Sequence, residues 1–248
     1  MDPFAWVRKG GWNMARRHLW LGVLVLALSL AAAGDARALT LEQVNLVDLL
    51  RDSTSILKGS VSTLSDGVDG NGIPYTEITI QVHETLRGVE AGTYTFRQFG
   101  LMSPRLSDDG TMKRLAAPGA FPRYEPREEV LLFLYRPAAL TGLRSTYGLA
   151  SGKFTFGPGR VENELANQGL FQDVSVESNL KSANDVRMLE TQIGAVNPDT
   201  FMSFVRRAVG DRWVETCKLW DAVEGKRCRS GGSPGNGGSV PLMKLIGE

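Results

Sequence analysis

Apolar and polar residues alternate with a period of two along much of the chain between residues 56 and 156, which predicts β-strands. The clearest pattern is at residues 75–86, where Ile78, Ile80, Val82 and Leu86 are predicted to share one face opposite a polar face. Further elements are predicted as strands at 56–64, 93–99, 130–135, 146–150 and 153–156 and as a hairpin loop at 66–72. The continuously apolar run at 130–135 predicts a strand buried on both faces.

A helical period predicts helices before and after these strands. Residues 40–43 have the Thr-x-x-Gln spacing of a capping box and precede an apolar stripe that ends near residue 52. Asn-Pro at 197–198 is typical of a helix start, and that helix is expected to end at residue 210. A further helical stretch is predicted at 211–223. The pattern therefore predicts an α+β fold that is mainly β, with an N-terminal helix and a C-terminal helical segment.

The N-terminal segment has the pattern of an export signal. Two arginines at 16–17 precede the uncharged run 19–34, which is followed by Ala-Arg-Ala at 36–38, the small-x-small form that signal peptidase requires. Cleavage would expose Leu39, and Met14 offers a more compact start than the first methionine. An uncleaved anchor is the alternative, but the run has 16 residues and about 20 are needed to span a bilayer.

Removal of this signal peptide, residues 1–38, changes the charge balance. The full chain of 248 residues has 28 Lys and Arg and 27 Asp and Glu. Cleavage removes five basic and two acidic side chains, which leaves 23 basic and 25 acidic ones. A slightly acidic protein does not favour nucleic acid as a partner. We expect a periplasmic or secreted protein whose only membrane contact is through the signal before cleavage.

Histidine and cysteine are scarce, which limits the available chemistry. The full chain has 2 Cys and 2 His, and the expected mature chain keeps only His83, Cys217 and Cys228. Two cysteines separated by ten residues can close a disulfide-bonded loop in an oxidising compartment, whereas free thiols are expected if the protein is not exported. These side chains do not supply the usual zinc ligands, so no metal and no cofactor is expected.

Several motifs suggest catalysis or metal binding, and each has a simpler explanation. Residues 55–58 and 178–181 have the Ser-x-x-Lys spacing of penicillin-interacting serine enzymes, but the accompanying Ser-Asp-Asn and Lys-Thr-Gly elements are missing. The Asp- and Gly-rich segment 66–72 fits no register of an EF-hand loop and is explained by a hairpin turn. No Gly-x-Ser-x-Gly sequence presents a nucleophile to His83.

The element order and several motifs resemble a family of exported bacterial β-barrel domains, over about residues 40–156. The motifs are Ile56-Leu57-Lys58-Gly59-Ser60-Val61, Leu86-Arg87-Gly88, Glu128-Glu129-Val130-Leu131-Leu132-Phe133-Leu134 and Ser151-Gly152-Lys153-Phe154. Some members of this family lie beside matrixin-type metalloprotease domains, and its layout is similar to OB-like barrels of the netrin and metalloprotease-inhibitor type. The resemblance implies a small antiparallel OB-like barrel and no catalytic residues. This chain has no His-Glu-x-x-His, and Leu39 stands where an inhibitor would have Cys.

The expected domain layout follows from these features. After the signal peptide, a β-barrel domain is expected at 39–196, a helical segment with the disulfide at 197–228, and a flexible Gly- and Ser-rich linker with a tail at 229–248.

Candidate binding residues come from the polar strand face and from the Pro- and Gly-rich loop at 100–126, since long irregular loops are often functional. The candidates are Glu77, Gln81 and His83 on the strand and Arg105 and Arg123 in the loop. We expect a non-catalytic module that binds a protein or an envelope component. The alternative is a hydrolase that uses Ser, Asp or Glu, but the scarcity of His and Cys favours binding.

Overall fold

The computed structural model describes residues 44–89, 91–103, 105–106, 112–113, 117–223 and 225. Contacts between Cα atoms divide the chain into Met1–Glu42 and Gln43–Glu248, and every described residue belongs to the second unit. The predicted signal peptide and the predicted linker and tail lie outside the described residues, so both remain predictions.

The described residues form ten β-strands and three α-helices. The strands are β1 Ser55–Val68, β2 Pro74–Arg87, β3 Gly92–Phe99, β4 Arg105–Leu106, β5 Met112–Lys113, β6 Glu129–Leu134, β7 Lys153–Gly157, β8 Arg160–Asn163, β9 Val174–Val176 and β10 Leu219–Asp221. The helices are α1 Leu46–Asp52, α2 Ala183–Leu189 and α3 Pro198–Gly210, with single 3₁₀ turns at Leu149–Gly152 and Ser178–Leu180. Within the described ranges, no helix has the length and apolar character needed to cross a membrane.

A six-stranded antiparallel sheet in the order β3-β2-β1-β6-β7-β8 forms the centre of this unit. The first half of β1, residues 55–60, pairs with β6 on one side and with β2 on the other. The sheet has two edge strands, β3 and β8, so it is not a closed barrel. The predicted α+β class, mainly antiparallel β with helices, is confirmed.

The sheet has an apolar cluster on each face. On one face, α1 and α3 pack against the sheet, and the rings of Phe154 and Phe201 approach to 4.9 Å between centroids. The cluster on the other face includes Leu57, Val61, Ile78, Ile80, Val82, Phe96, Tyr124, Val130, Leu132 and Leu134. Alternate residues of β6 enter the two clusters, and Val130 through Leu134 are all buried. The prediction of a strand buried on both faces is therefore confirmed.

The C-terminal helix α3 begins as predicted and the N-terminal helix α1 does not. Asn197 caps α3, because its side-chain oxygen accepts the N–H of Thr200 at 3.0 Å. Helix α1 begins at Leu46, where Asn45 and Asp48 form a reciprocal capping box. The predicted box at 40–43 lies outside the described residues and is not the one that starts this helix.

The cap of α1 also links the first and the last of the described elements. The Asn45 side-chain N–H₂ donates to Asp221 Oδ2 of β10 at 2.6 Å and to the carbonyl of Gln172 at 3.2 Å. One asparagine therefore starts the first helix and holds the last strand against it.

Two predicted elements are wrong. Residues 146–150 contribute one bridge, from Thr146 to Leu134, and then enter a 3₁₀ turn. Residues 211–223 form turns followed by β10, because Arg212 and Cys217 have positive φ angles of 51° and 59°, which a helix cannot contain. Cys228 lies outside the described residues, so the Cys217–Cys228 disulfide remains a prediction.

A β-bulge in β2 changes which side chains face the core. Lys58 pairs with Glu84 and Gly59 pairs with Val82, so His83 is an extra residue opposite β1. The bulge reverses the alternation beyond it, and Leu86 packs against the cluster beside the helices instead of joining Ile78 and Val82. The prediction that Leu86 shares their face is wrong for this reason.

The helices cover only part of their face of the sheet. At one boundary, Arg206 of α3 donates to Glu84 of β2 at 2.6 and 2.8 Å, and this hydrogen-bonded pair holds the pKa of the Glu84 carboxyl below its ordinary value. Beyond that pair, the same side of β1, β2 and β3 presents polar residues, several of them exposed. This uncovered region contains the predicted strand-face residues.

Candidate functional site

The polar face is defined here as Ser60 and Thr63 of β1, Glu77, Thr79 and Gln81 of β2, and Thr93, Thr95 and Arg97 of β3. Cross-strand pairs hold several of its side chains in place. Arg97 Nε donates to Glu77 Oε2 at 2.8 Å, and the hydroxyls of Thr79 and Thr95 are 3.0 Å apart. Both pairs occupy directly opposite positions in the β2–β3 register, where side chains approach closely.

Arg97 also contacts an aromatic ring at one end of the polar face. Its guanidinium lies 4.4 Å from the ring centroid of Tyr75, and the hydrogen bond with Glu77 raises the pKa of the guanidinium. The side chain of Arg97 is half exposed, so these contacts orient a charged group at the surface without burying it.

The structure brings together three of the five candidate binding residues. Glu77 and Gln81 lie on the polar face, and Gln81 Nε2 donates to the carbonyl of Gly92 at 3.3 Å. His83 lies at the bulge on the border of this face, where its Nε2 is 3.3 Å from Ser60 Oγ. The alternation at residues 75–83 was thus a sufficient signal for this group.

The two loop arginines are not placed with the strand residues. Arg105 lies in β4, and its side chain is outside the described residues. The side chain of Arg123 is exposed, while its backbone N–H donates to Glu164 Oε1 at 2.7 Å and its carbonyl accepts from Lys153. Arg123 therefore belongs to a different cluster, next to β7.

That cluster surrounds a buried lysine. Lys153 Nζ is 2.9 Å from both carboxylate oxygens of Glu128 and 3.9 Å from Glu164 Oε1, and its side chain is 4% exposed. It also lies 5.0 Å from the ring centroid of Tyr124. A buried ammonium group requires such compensation, because desolvation of an unpaired charge is costly.

Tyr124 and Gln98 each have a buried polar atom close to the segment 117–128, which leads into β6. Among the described residues, neither the Tyr124 hydroxyl nor Gln98 Oε1 has a hydrogen-bond partner, whereas Gln98 Nε2 donates to the carbonyl of Pro122 at 3.0 Å. Burial raises the pKa of the Tyr124 hydroxyl well above its ordinary value, and the charges of Glu128 and Glu164 raise it further. Tyr124 is therefore neutral at physiological pH.

Sequence reasoning missed the Lys153 cluster because its members are distant in the chain. Lys153 is in the same β7 strand as Phe154, and its side chain shares a face with Leu132 across the β6–β7 pairing. Lys153 lies in a strand next to the apolar run of β6, and this position was the available signal that its side chain is buried. Its partner carboxylate, Glu128, could not be identified before the strand pairing was known.

A second buried cation fixes the outer strand of the sheet. The Arg144 side chain donates to the carbonyl of Tyr135 at 2.6 Å, to Ser55 Oγ at 2.7 Å, to Thr54 Oγ1 at 2.9 Å and to the hydroxyl of Tyr94. Its acceptors are neutral oxygens at the start of β1 and on the residue before it, on β3, and just after β6. Arg144 therefore connects the edge strand β3 to the middle of the sheet.

A further ion pair lies between α2 and α3. Both carboxylate oxygens of Asp185 accept from Arg207 Nη2 at 2.9 Å, and the two residues line a cavity of about 300 Å³. Burial acts to raise the pKa of the Asp185 carboxyl, but hydrogen bonds from Ser182 and Arg207 outweigh it and hold the pKa below its ordinary value. The Arg207 guanidinium also lies 5.2 Å from the Trp213 ring. This pair packs α2 onto α3.

The described residues contain no group of three or more His, Cys, Asp or Glu side chains placed to hold a metal ion. Comparison of the chain with protein-family models, with curated proteins and with solved structures found no match. The function of the chain is therefore inferred from the geometry of the polar face and of the sheet that presents it.

Proposed function

We propose that the chain is an exported, non-catalytic module that binds a protein of the cell envelope or the extracellular space through its polar face. The observation that supports this most directly is that, among the described residues, no other element covers the face, while its side chains are already held by cross-strand pairs. A surface whose side chains are ordered before binding loses less conformational entropy when a partner arrives.

An OB-like barrel layout is part of the proposal. Arg144 N–H donates to the carbonyl of Arg97 on β3 at 2.7 Å, and Thr146 forms a bridge with Leu134 of β6. The segment 144–146 thus reaches from the outer edge strand to the middle of the sheet, where a barrel of this type would close. Export itself is inferred from the signal-peptide pattern and from the family resemblance.

The Lys153 cluster contains the two carboxylates Glu128 and Glu164, so it bears on the alternative function. Both oxygens of Glu128 contact Lys153 Nζ, and Glu164 Oε1 accepts the backbone N–H of Arg123. A general base needs an available lone pair directed at the reacting proton. Glu128 also accepts the backbone N–H of Glu125 at 2.9 Å and the hydroxyl of Thr155 at 3.5 Å, so both of its oxygens are fully engaged, which favours the binding proposal over a hydrolase that uses Glu128 as its base.

Position-specific photo-crosslinking tests the proposed surface. A benzophenone amino acid is placed at Gln81, at His83 or at the control position Leu140, which is 99% exposed, and the protein is produced in its native host. We expect adducts of one defined mass from Gln81 and His83 and none from Leu140. The captured protein is then purified, and its affinity is compared between the native chain and a chain with both Gln81→Ala and His83→Ala. Adducts of equal yield from all three positions, or unchanged affinity in the double variant, would refute the proposal.

A further inference from the structure

The outer edge of β3 has a stretch of backbone that no other described strand uses. We propose that this open stretch, residues 93–95, binds an extended segment of the protein partner as an added β-strand. The inference rests on the proposed function, because it specifies how that partner is held. It makes one claim that the polar face does not: the partner segment must be extended, which contacts to side chains alone would not require.

Alternate residues of β3 direct their backbone groups toward β2 and away from it. Gly100 N–H donates to the carbonyl of Pro74 at 3.0 Å, so in this antiparallel register Tyr94 also exchanges hydrogen bonds with β2. The N–H and C=O groups of Thr93 and Thr95 therefore point away from the sheet. Within the described part of the chain, no backbone group pairs with them.

At one other position on each edge, the chain's own backbone fills the equivalent groups. The carbonyl of Arg97, the next outward-facing residue of β3, accepts from Arg144 N–H at 2.7 Å. On β8, at the opposite edge, Val161 exchanges two hydrogen bonds with Val196, at 2.9 and 3.0 Å. Residues 93–95 have no such partner among the described residues. A row of alternating donors and acceptors is satisfied by another extended backbone.

The side chains beside the open stretch define the sequence pattern of the occupant. Tyr94 packs, half buried, against the apolar cluster of Ile80 and Phe96, and its ring centroid is 6.0 Å from that of Phe96. Thr93 and Thr95 are exposed on the polar face. An added strand places its residues alternately beside Tyr94 and beside the two threonines. We therefore expect an aromatic or β-branched residue flanked by polar ones.

A partner segment fits this stretch better than a second copy of the chain. The Arg144 backbone already occupies the carbonyl of Arg97, so two β3 strands could pair only through Thr93 and Thr95. Such a contact is far smaller than the roughly 1,000 Å² that a specific interface between folded domains needs. A flexible segment can follow the edge over the same short distance and then continue across the polar face.

Selection of peptides against a matched pair of variants tests the inference. A phage-displayed library of random nine-residue peptides is panned on the purified full chain, and enriched peptides are measured on Thr95→Pro and Thr95→Val. Proline removes the outward N–H but no hydrogen bond to β2, whereas valine keeps the N–H and the branched shape. We expect alternating polar and apolar peptides, bound about tenfold more weakly by Thr95→Pro and within about twofold by Thr95→Val. The inference is overturned if no peptide is enriched or if Thr95→Pro binds as well as the native chain.

Modified peptides keep the test decisive if the proline variant does not fold, which circular dichroism would show. N-methylation of the enriched peptide at alternate amides blocks strand addition without changing the protein. Two peptides are compared, one N-methylated at the odd-numbered amides and the other at the even-numbered amides. Only one of them presents its free amides to β3, so one peptide should lose binding and the other should keep it. Equal binding by both peptides would contradict strand addition.

Hydrogen exchange identifies which amides the peptide covers. In the isolated protein, the amides of Thr93 and Thr95 should exchange rapidly and that of Tyr94 slowly, and the peptide should slow the two threonine amides. Protection of the threonine amides without peptide overturns the inference. If that protection rises with protein concentration the occupant is a second copy, and if it is independent of concentration the occupant is a segment of the same chain.

Crosslinking from Gln81 separates this inference from the proposed function. Adducts from Gln81 with unchanged yield in Thr95→Pro would keep the polar face as the binding surface and refute strand addition at the edge. Peptides that depend on the Thr95 N–H, in a protein that gives no adduct from Gln81, would refute the polar face and support the edge.

Discussion

Removal of the buried cation at residue 153 is the sharpest test of the packing described above. Lys153→Met keeps the unbranched chain and its packing but removes the ammonium group from Glu128. The lysine side chain is 4% exposed and the glutamate side chain 11%. Loss of one member of a buried ion pair leaves an uncompensated charge and costs about 3–5 kcal/mol. For a unit of this size, the melting temperature should fall by roughly 6–20 °C.

A second lysine on the same sheet provides the control for this substitution. Lys58 Nζ is 2.8 Å from Glu129 Oε1, but the side chains of this pair are 20% and 43% exposed. Because solvent screens such a pair, Lys58→Met should cost less than about 1 kcal/mol. The two substitutions are chemically identical and differ in the burial of the ion pair.

Urea unfolding followed by circular dichroism measures both effects, with the slope of the transition checked for constancy. Addition of Glu128→Gln to Lys153→Met should restore part of the lost stability, because the buried carboxylate is then neutral. If Lys153→Met costs no more than Lys58→Met, or if Glu128→Gln adds its own full cost, the burial argument for this pair is wrong.

Three further predictions concern other regions of the molecule. Since the folded-state pKa of Asp185 is lowered, its ion pair stabilises the protein above about pH 4 and is lost as the pH falls through the lowered value; Asp185→Asn should flatten the fall in melting temperature between about pH 5 and pH 2. Gly59→Ala would bring a Cβ to 2.3 Å from a backbone oxygen of β2 and should cost about 1–3 kcal/mol, whereas Gly70→Ala meets nothing within 4 Å and should be neutral in the same unfolding assay. Exported protein alkylated without reductant should show no modified thiol at Cys217 or Cys228 and an intact mass that begins near residue 39; modification of both would refute the disulfide.

The elements that sequence predicted well are those fixed by neighbouring residues. Asn197 and Pro198 determine the start of α3 through a cap and a preset φ angle, both of which are local. The apolar run of β6 indicates burial on both faces whichever strands it joins. Local signals of this kind do not depend on the rest of the fold.

The errors arise where distant parts of the chain decide the outcome. The face of Leu86 depends on the bulge at His83, and the bulge exists only in the pairing of β2 with β1. The segment 211–223 has a helical pattern, but Trp213 is buried against Phe204 of α3, with ring centroids 5.5 Å apart. Tertiary contact therefore overrides the local preference of this segment.

The candidate site divides in the same way. Alternation along β2 was enough to group Glu77, Gln81 and His83, because a strand fixes which of its residues share a face. The Lys153 cluster and the open edge of β3 could not be inferred, because each depends on which strands are neighbours. An edge is a property of strand order, and strand order is not encoded in any single segment.

The hydrogen bond between Asn45 and Asp221 has a consequence for how the unit can be connected. It brings the side chain of Asn45, just before the first described helix, to 2.6 Å from Asp221 of the last described strand, so these two points of the chain lie close together. A short linker could join them, and new termini could be opened at the exposed position 140 without breaking any strand of the sheet. A tether attached at either end would also hold the unit from the same point. Circular permutation and fusion at both ends are therefore available as engineering routes for this protein.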